Sequence, residues 1–172
     1  MKEIVQDPHP TLREQAREIP IEKIGSPSIQ KLIADMKEAL AKEELGVALA
    51  APQVGEQLRL FVVSGTVFAM QKAKEYDPEK HEAQTFINPA IVSNSKKTAD
   101  MEEGCLSLRG KWGVVPRAER VTLSYFNERG EKKSRGASGL LAQIFQHEVD
   151  HLDGILYIDK ATQIWTDAPK ES

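Results

Sequence analysis

Gln146-His147-Glu148-Val149-Asp150-His151-Leu152-Asp153-Gly154 closes 18 residues before the end of the chain and sets two imidazoles and a carboxylate at helical spacing. On a helix, His147 and His151 stand four residues apart and project from one face, so both can grip one cation while Glu148 leans over its open coordination position. A cation with three protein ligands and one water brings that water's pKa towards neutrality, and a nearby carboxylate can then take and hand on its proton. The alternative is a solvated helix that carries two histidines by chance. The surrounding sequence decides between them.

Working outward, Leu140, Ile144, His147 and His151 fall on one helical face from Ser138 onward, with Leu141, Phe145 and Glu148 beside it, and Gly154 ends the helix. Residues 120–126 alternate Val121, Leu123 and Tyr125 against polar neighbours, and 127–130 form a hairpin turn into 131–135. Residues 58–63 read as a buried strand, and 86–92 as another whose proline favours an edge or a bulge. The polar segment 64–85 reads as loop or a small insertion. Ser26-Pro27 caps a helix in which Ile29, Leu32, Ile33, Met36 and Leu40 recur until Gly46. Helices mixed with antiparallel strands place the chain in the α+β class.

At 172 residues the chain has the size of one domain, spanning 1–172, without repeats or a dividing linker. Such a length buries about 70% of its unfolded surface without a disulfide or structural metal, so a metal here need not be structural. A net charge of −3 with interspersed acids and bases offers no basic stripe for nucleic acid. No run approaches the ~20 apolar residues of a membrane span. The N-terminus lacks the features of a signal or transit peptide, so a cytoplasmic protein is expected, although a mature organellar form would look the same. Cys105 is the single cysteine, which excludes an intramolecular disulfide and leaves a thiol for a metal.

A catalytic site of this kind needs a third protein ligand, usually a downstream histidine or glutamate. Gly154 fills the glycine position of the longer histidine pattern, but Tyr157 stands where its histidine belongs, and only 21 residues follow His151. The ligand must come from upstream, where His9, His81 and Cys105 are available. Cys105 is the best of these, because Glu103-Gly104 and Leu106-Ser107-Leu108 frame it in a small-residue turn where a backbone can approach a metal. Taken alone, Cys105 also reads as an inert buried thiol.

Three segments in the same order resemble the peptide deformylases: Gly46-Val47-Ala48-Leu49-Ala50-Ala51-Pro52-Gln53, Glu103-Gly104-Cys105-Leu106-Ser107, and the histidine stretch from Gln146 to Gly154. The likeness runs from Asp7-Pro8 through Ile87-Asn88-Pro89 and Val115-Pro116-Arg117-Ala118 to Tyr157-Ile158-Asp159. It implies antiparallel sheets packed around a central helix that carries the two histidines. It also implies removal of the N-formyl group from the initiator methionine of nascent polypeptides, releasing formate. Cys105, His147 and His151 would hold one divalent ion, ferrous iron first, with zinc, nickel and cobalt also compatible with a thiolate site. Glu148 would act as base and then acid while a metal-bound hydroxide attacks the formyl carbon. By the same resemblance the Gln53 amide and the Leu106 N–H would face the oxyanion. Val47, Ala48 and Gly104 would line the cleft, the first segment pairing with the peptide as an added strand. Leu140 and Ile144 read equally as wall of a methionine pocket or as core.

The chain departs from the family pattern in four places. Ala48 stands where glycine is usual; Arg109-Gly110 follows Leu108 where proline is common; the 64–85 segment is longer than in short members; and no long C-terminal helix follows Trp165. Arg109 reads as exposed or as meeting a peptide carboxylate, and ribosome docking through a terminal helix is not expected. Competing readings are a zincin-type metallopeptidase, a catalytically silent metal-binding protein of deformylase ancestry, and a thiol enzyme using Cys105. Ala48→Gly is expected to shift affinity for formyl-methionyl peptides while activity is retained. Michaelis constant and turnover both unchanged would refute a role for that methyl.

Overall fold

The computed structural model describes residues 2–167. In chain order its main elements are α1 (Pro27–Ala41), β1 (Ala48–Ala50), β2 (Leu60–Val63), α2 (Gly65–Gln71), β3 (Gln84–Asn94), β4 (Thr98–Glu103), β5 (Lys111–Ala118), β6 (Arg120–Phe126), β7 (Lys132–Ser138), α3 (Gly139–Leu152) and β8 (Gln163–Thr166). Five strands form an antiparallel sheet in the order β1-β2-β3-β6-β7, and three form a second in the order β4-β5-β8.

The apolar run at 60–63 explains how the layers stack. Successive side chains of a strand point to opposite faces, so a strand covered on both sides needs no polar alternation. Phe61 and Val63 join the cluster built around Leu141, Ile144 and Phe145 of α3, whereas Leu60 and Val62 join the cluster built around Leu32, Ile33 and Met36 of α1. The larger sheet is thus held between two helices. α3 also reaches the smaller sheet: the Gln146 amide exchanges two hydrogen bonds with the backbone of Ala118, each 2.9 Å. Antiparallel sheets around the histidine-bearing helix are therefore the observed architecture, of the α+β class.

Local sequence signals account for most boundaries. The Ser26 side chain accepts from the Ile29 N–H and Pro27 opens α1, which ends at Ala41, short of Gly46, because residues 42–46 form turns. Pro89 sits where β3 slips against β6, a register shift between Ile87 and Ala90. Asn88 beside it has φ 48° and both accepts from and donates to the Ile19 backbone at 2.8 Å. Gly154 has φ 74°, and a Cβ there would fall 2.6 Å from the Arg13 carbonyl, so α3 ends tightly against the N-terminal segment.

The segment 64–85 corrects the sequence reading. It opens with helix α2, capped by Ser64, whose Oγ accepts from the Thr66 N–H at 3.3 Å. Val67, Phe68 and Ala69 are buried, so three adjacent apolar side chains anchor a helix too short to show periodicity. Within the following turns His81 is buried, its Nδ1 accepting from the Asp77 N–H at 3.1 Å.

Phe145 centres the aromatic packing between α3 and the large sheet, with ring centroids 5.1 Å from Phe86 and 6.0 Å from Phe61, and no exposed surface. Phe145→Ala is expected to cost about 3–5 kcal/mol in urea unfolding. A loss below about 1 kcal/mol would show that this cluster does not organise the core.

Candidate metal centre

α3 presents His147 and His151 one turn apart, and the loop after β4 brings Cys105 to them. Their ligand atoms lie within 4.8 Å of one another, with the Cys105 sulfur 3.4 Å from His151 Nε2. Metal bonds of about 2.0–2.3 Å make two donors on one ion span close to that separation, so the set fits a single cation. Its chemistry fits too, since one thiolate and two imidazoles suit iron, zinc and their neighbours. His9 caps the first turn of the chain and His81 is occupied at Asp77, so neither belongs to the cluster.

The orientation of His147 is fixed from behind. Its Nδ1 lies 2.7 Å from Glu103 Oε1, which leaves Nε2 for the ligand face. Glu103 also accepts two hydrogen bonds from Arg117, from Nε and Nη2, both 2.7 Å; Arg117 Nη1 donates to Asp150 at 2.7 Å. Glu103 and Arg117 are each only 3% exposed in their side chains. Burial alone would raise the Glu103 pKa, but the hydrogen bonds from Arg117 and His147 overcome it and hold it down at about 2. Burial also opposes a proton on His147, yet the Cys105 sulfur and Glu103 raise its pKa well above the ordinary imidazole value. For His151, burial and then the charges of His147 and Arg117 push it well below. The two imidazoles are thus set apart electrostatically, His147 holding a proton more readily than His151.

Glu148 is 4% exposed, and its Oε2 has no hydrogen-bond partner among the described residues. Burial pushes its carboxyl up to about 7, the charge of His147 opposing and that of Glu103 adding. The Gln53 amide has a defined direction. Its Oε1 accepts from the Ala50 N–H at 2.9 Å, which turns Nε2 towards Ser107 Oγ at 3.1 Å and the Cys105 sulfur at 3.5 Å. The Leu106 N–H meets no acceptor among the described residues. Tyr157, which replaces the expected downstream histidine, packs its ring on His147 with centroids 6.0 Å apart.

All these groups face or underlie one cleft of about 500 Å³. Glu148, Gln53, Leu106, Cys105 and His147 line it, and so do Val47, Ala48, Gly104, Leu140 and Ile144; His151 lies buried just beneath. Ile144 is also part of the core cluster, so its two readings coincide. Arg109 crosses the mouth and donates to both carboxylate oxygens of Glu43, at 2.9 and 3.0 Å, so its charge is already paired. Several lining or supporting residues escaped the sequence reading. Trp112 lies over Gly104 so closely that a Cβ there would fall 2.5 Å from its ring. Arg117 and Asp150 appeared only as parts of matched segments, and the Glu103 carboxylate behind His147 could be suspected only from the register of β4 on β5.

The profile of the family Polypeptide deformylase matches residues 1–166. The chain belongs to the peptide deformylase family. Peptide deformylase of Desulforudis audaxviator (strain MP104C) is 42% identical over 165 residues, covering 95% of this chain and 95% of that protein. The crystal structure of the peptide deformylase from Thermotoga maritima superposes with TM-score 0.81 at 33% identity, covering 95% of this chain and 99% of that one. A Met-Ala-Ser-bound class I type b peptide deformylase from Acinetobacter baumannii gives TM-score 0.80 at 29% identity, over 93% of this chain and 98% of that one. As a deformylase the chain is a hydrolase of N-terminal protein processing, with a site that can hold a metal ion. Among the described residues no helix is long and apolar enough to cross a membrane.

Glu103→Gln is expected to weaken metal binding 10- to 100-fold by loosening His147. Competition with a chromophoric chelator reads this directly, and an unchanged affinity would assign Glu103 a structural role only.

Proposed function

We propose that this deformylase removes the formyl group from formyl-methionyl nascent peptides with Cys105, His147 and His151 as metal ligands and Glu148 as the proton carrier. The observation that carries the reading is the buried, unpartnered Glu148 Oε2 beside a three-donor cluster at the base of the cleft. A purely structural site has no use for such a carboxylate. When bound, the divalent ion supplies Lewis acidity and brings water's pKa near neutrality. We take ferrous iron as the first assignment from the family resemblance; zinc, nickel and cobalt satisfy the same donor set.

This chain's own groups do the rest. Glu148 takes the proton of the attacking water and gives it to the departing amine nitrogen, serving as base and then acid. Gln53 Nε2 and the Leu106 N–H are the donors for the oxygen of the tetrahedral intermediate. Support for the first is its fixed direction, and for the second its lack of an acceptor. β1 lies at the edge of the large sheet and along the cleft, so an extended peptide can add there as a strand, past Val47, Ala48 and Gly104. Leu140 and Ile144 form the apolar wall for the methionine side chain. The Met-Ala-Ser complex of the Acinetobacter relative is consistent with that substrate class. Residues 1–172 act as one catalytic domain on this reading.

The decisive assay is formate release from a formyl-methionyl peptide by protein purified without oxygen and loaded with ferrous iron. Glu148→Ala is expected to abolish turnover, and Gln53→Ala to lower it about 100- to 1000-fold. Equal formate from the Glu148 variant and the intact protein would sink the mechanism. Cleavage of internal peptide bonds without formate would favour the zincin-type reading instead.

A further inference from the structure

One polar side chain in the cleft has no part in this chemistry. Gln143 lies on α3 four residues before His147, hence one turn away on the ligand face, and is 8% exposed. Its Nε2 donates to the Glu102 carbonyl at 2.8 Å, which ties α3 to β4. That bond uses one of two amide hydrogens and none of the acceptor capacity of Oε1. Among the described residues the side chain forms no other hydrogen bond. Gln143 lines the catalytic cleft next to Leu140 and Ile144, and it also lines a second cavity of about 460 Å³ that includes Ala99, Met101 and Ala118. Of the residues that line the two spaces, it is the one they share. An amide in such a wall is costly unless something pairs with it, and an aliphatic side chain would fill the same volume.

We propose that Gln143 determines specificity in the first-side-chain pocket, its spare amide N–H admitting chains that begin with formyl-methionine sulfoxide. The proposal rests on the cleft being the deformylation site. Oxidation places a strong acceptor oxygen on the methionine sulfur without lengthening the chain, where an all-apolar pocket would leave it unpaired. The reaction itself is unaltered: water adds to the formyl carbon, the C–N bond breaks, the amine gains the proton, and the sulfoxide is untouched.

The test compares kcat/KM for formyl-Met-Ala-Ser and its sulfoxide counterpart in the iron-loaded wild type, Gln143→Leu and Gln143→Met. The wild type is expected to disfavour the sulfoxide by less than about a hundredfold, and each apolar variant to widen that ratio at least about fivefold. A smaller widening overturns the proposal. So does stronger discrimination by the wild type, a result that stands even if a variant fails to fold. A wild type inactive on both peptides overturns the deformylation reading of the cleft, and this proposal with it; normal methionyl turnover with an unmoved ratio overturns the Gln143 assignment alone.

Discussion

The bidentate pair between Arg117 and Glu103 is the constraint on which the site depends. It joins neighbouring strands of the small sheet, and its two ends reach α3 through Asp150 and His147. Removing either partner would strand a buried charge, which typically costs about 3–5 kcal/mol, so the pair fixes where the helix lies against the sheet. Because Glu103 spends one oxygen on both Arg117 and His147, the His147 imidazole inherits the rigidity of the ion pair. Lys160 adds a further cation on Asp150 at the exposed end of the network, where solvent screens it.

That arrangement explains how α3 serves as both core and wall of the candidate site. One face carries Leu141, Phe145 and Leu152 into the large sheet. The adjoining stripe holds Leu140, Gln143, Ile144, His147 and Glu148 along the cleft. Helical spacing separates the two stripes by a fraction of a turn, so packing on the sheet sets the ligand direction with little freedom left. The cysteine comes from a loop, but Gln53 contacts its sulfur and Ser107 from the opposite side, and Gly104 lets Trp112 close over it.

Much of this was legible in residues 26–41 and 138–154, where cap residues and helical periodicity are local signals. β2 was legible as an apolar run and β6–β7 as a hairpin for the same reason. β4, β5 and β8 were not. β4 is rich in acids and β5 mixes charges with glycine and proline, while β8 is only four exposed residues and returns from 45 residues beyond the end of β5. α2 escaped because seven residues are too few to display a period. For the site, spacing nominated His147, Glu148 and His151; the want of a downstream ligand made Cys105 a candidate, and only the family resemblance singled it out. The supporting role of Arg117 rests on its side chain reaching Glu103 across four register positions, since Arg117 pairs with Ala99 and Glu103 with Gly113, a contact that no local pattern announces. The buried place of Gln143 is likewise a product of β4 lying across α3.

The large sheet ends in two very different edges. β7 is seven residues long and carries Lys132, Lys133 and Arg135, charges that discourage another chain from docking along it. β1 is three residues long, wholly apolar and buried beside the cleft. An edge left open risks self-association, since unpaired backbone groups template further strands. Shortness answers that hazard. Three residues offer a passing chain only a few hydrogen bonds, too few to seed a growing sheet, so such an edge can stay open without becoming adhesive.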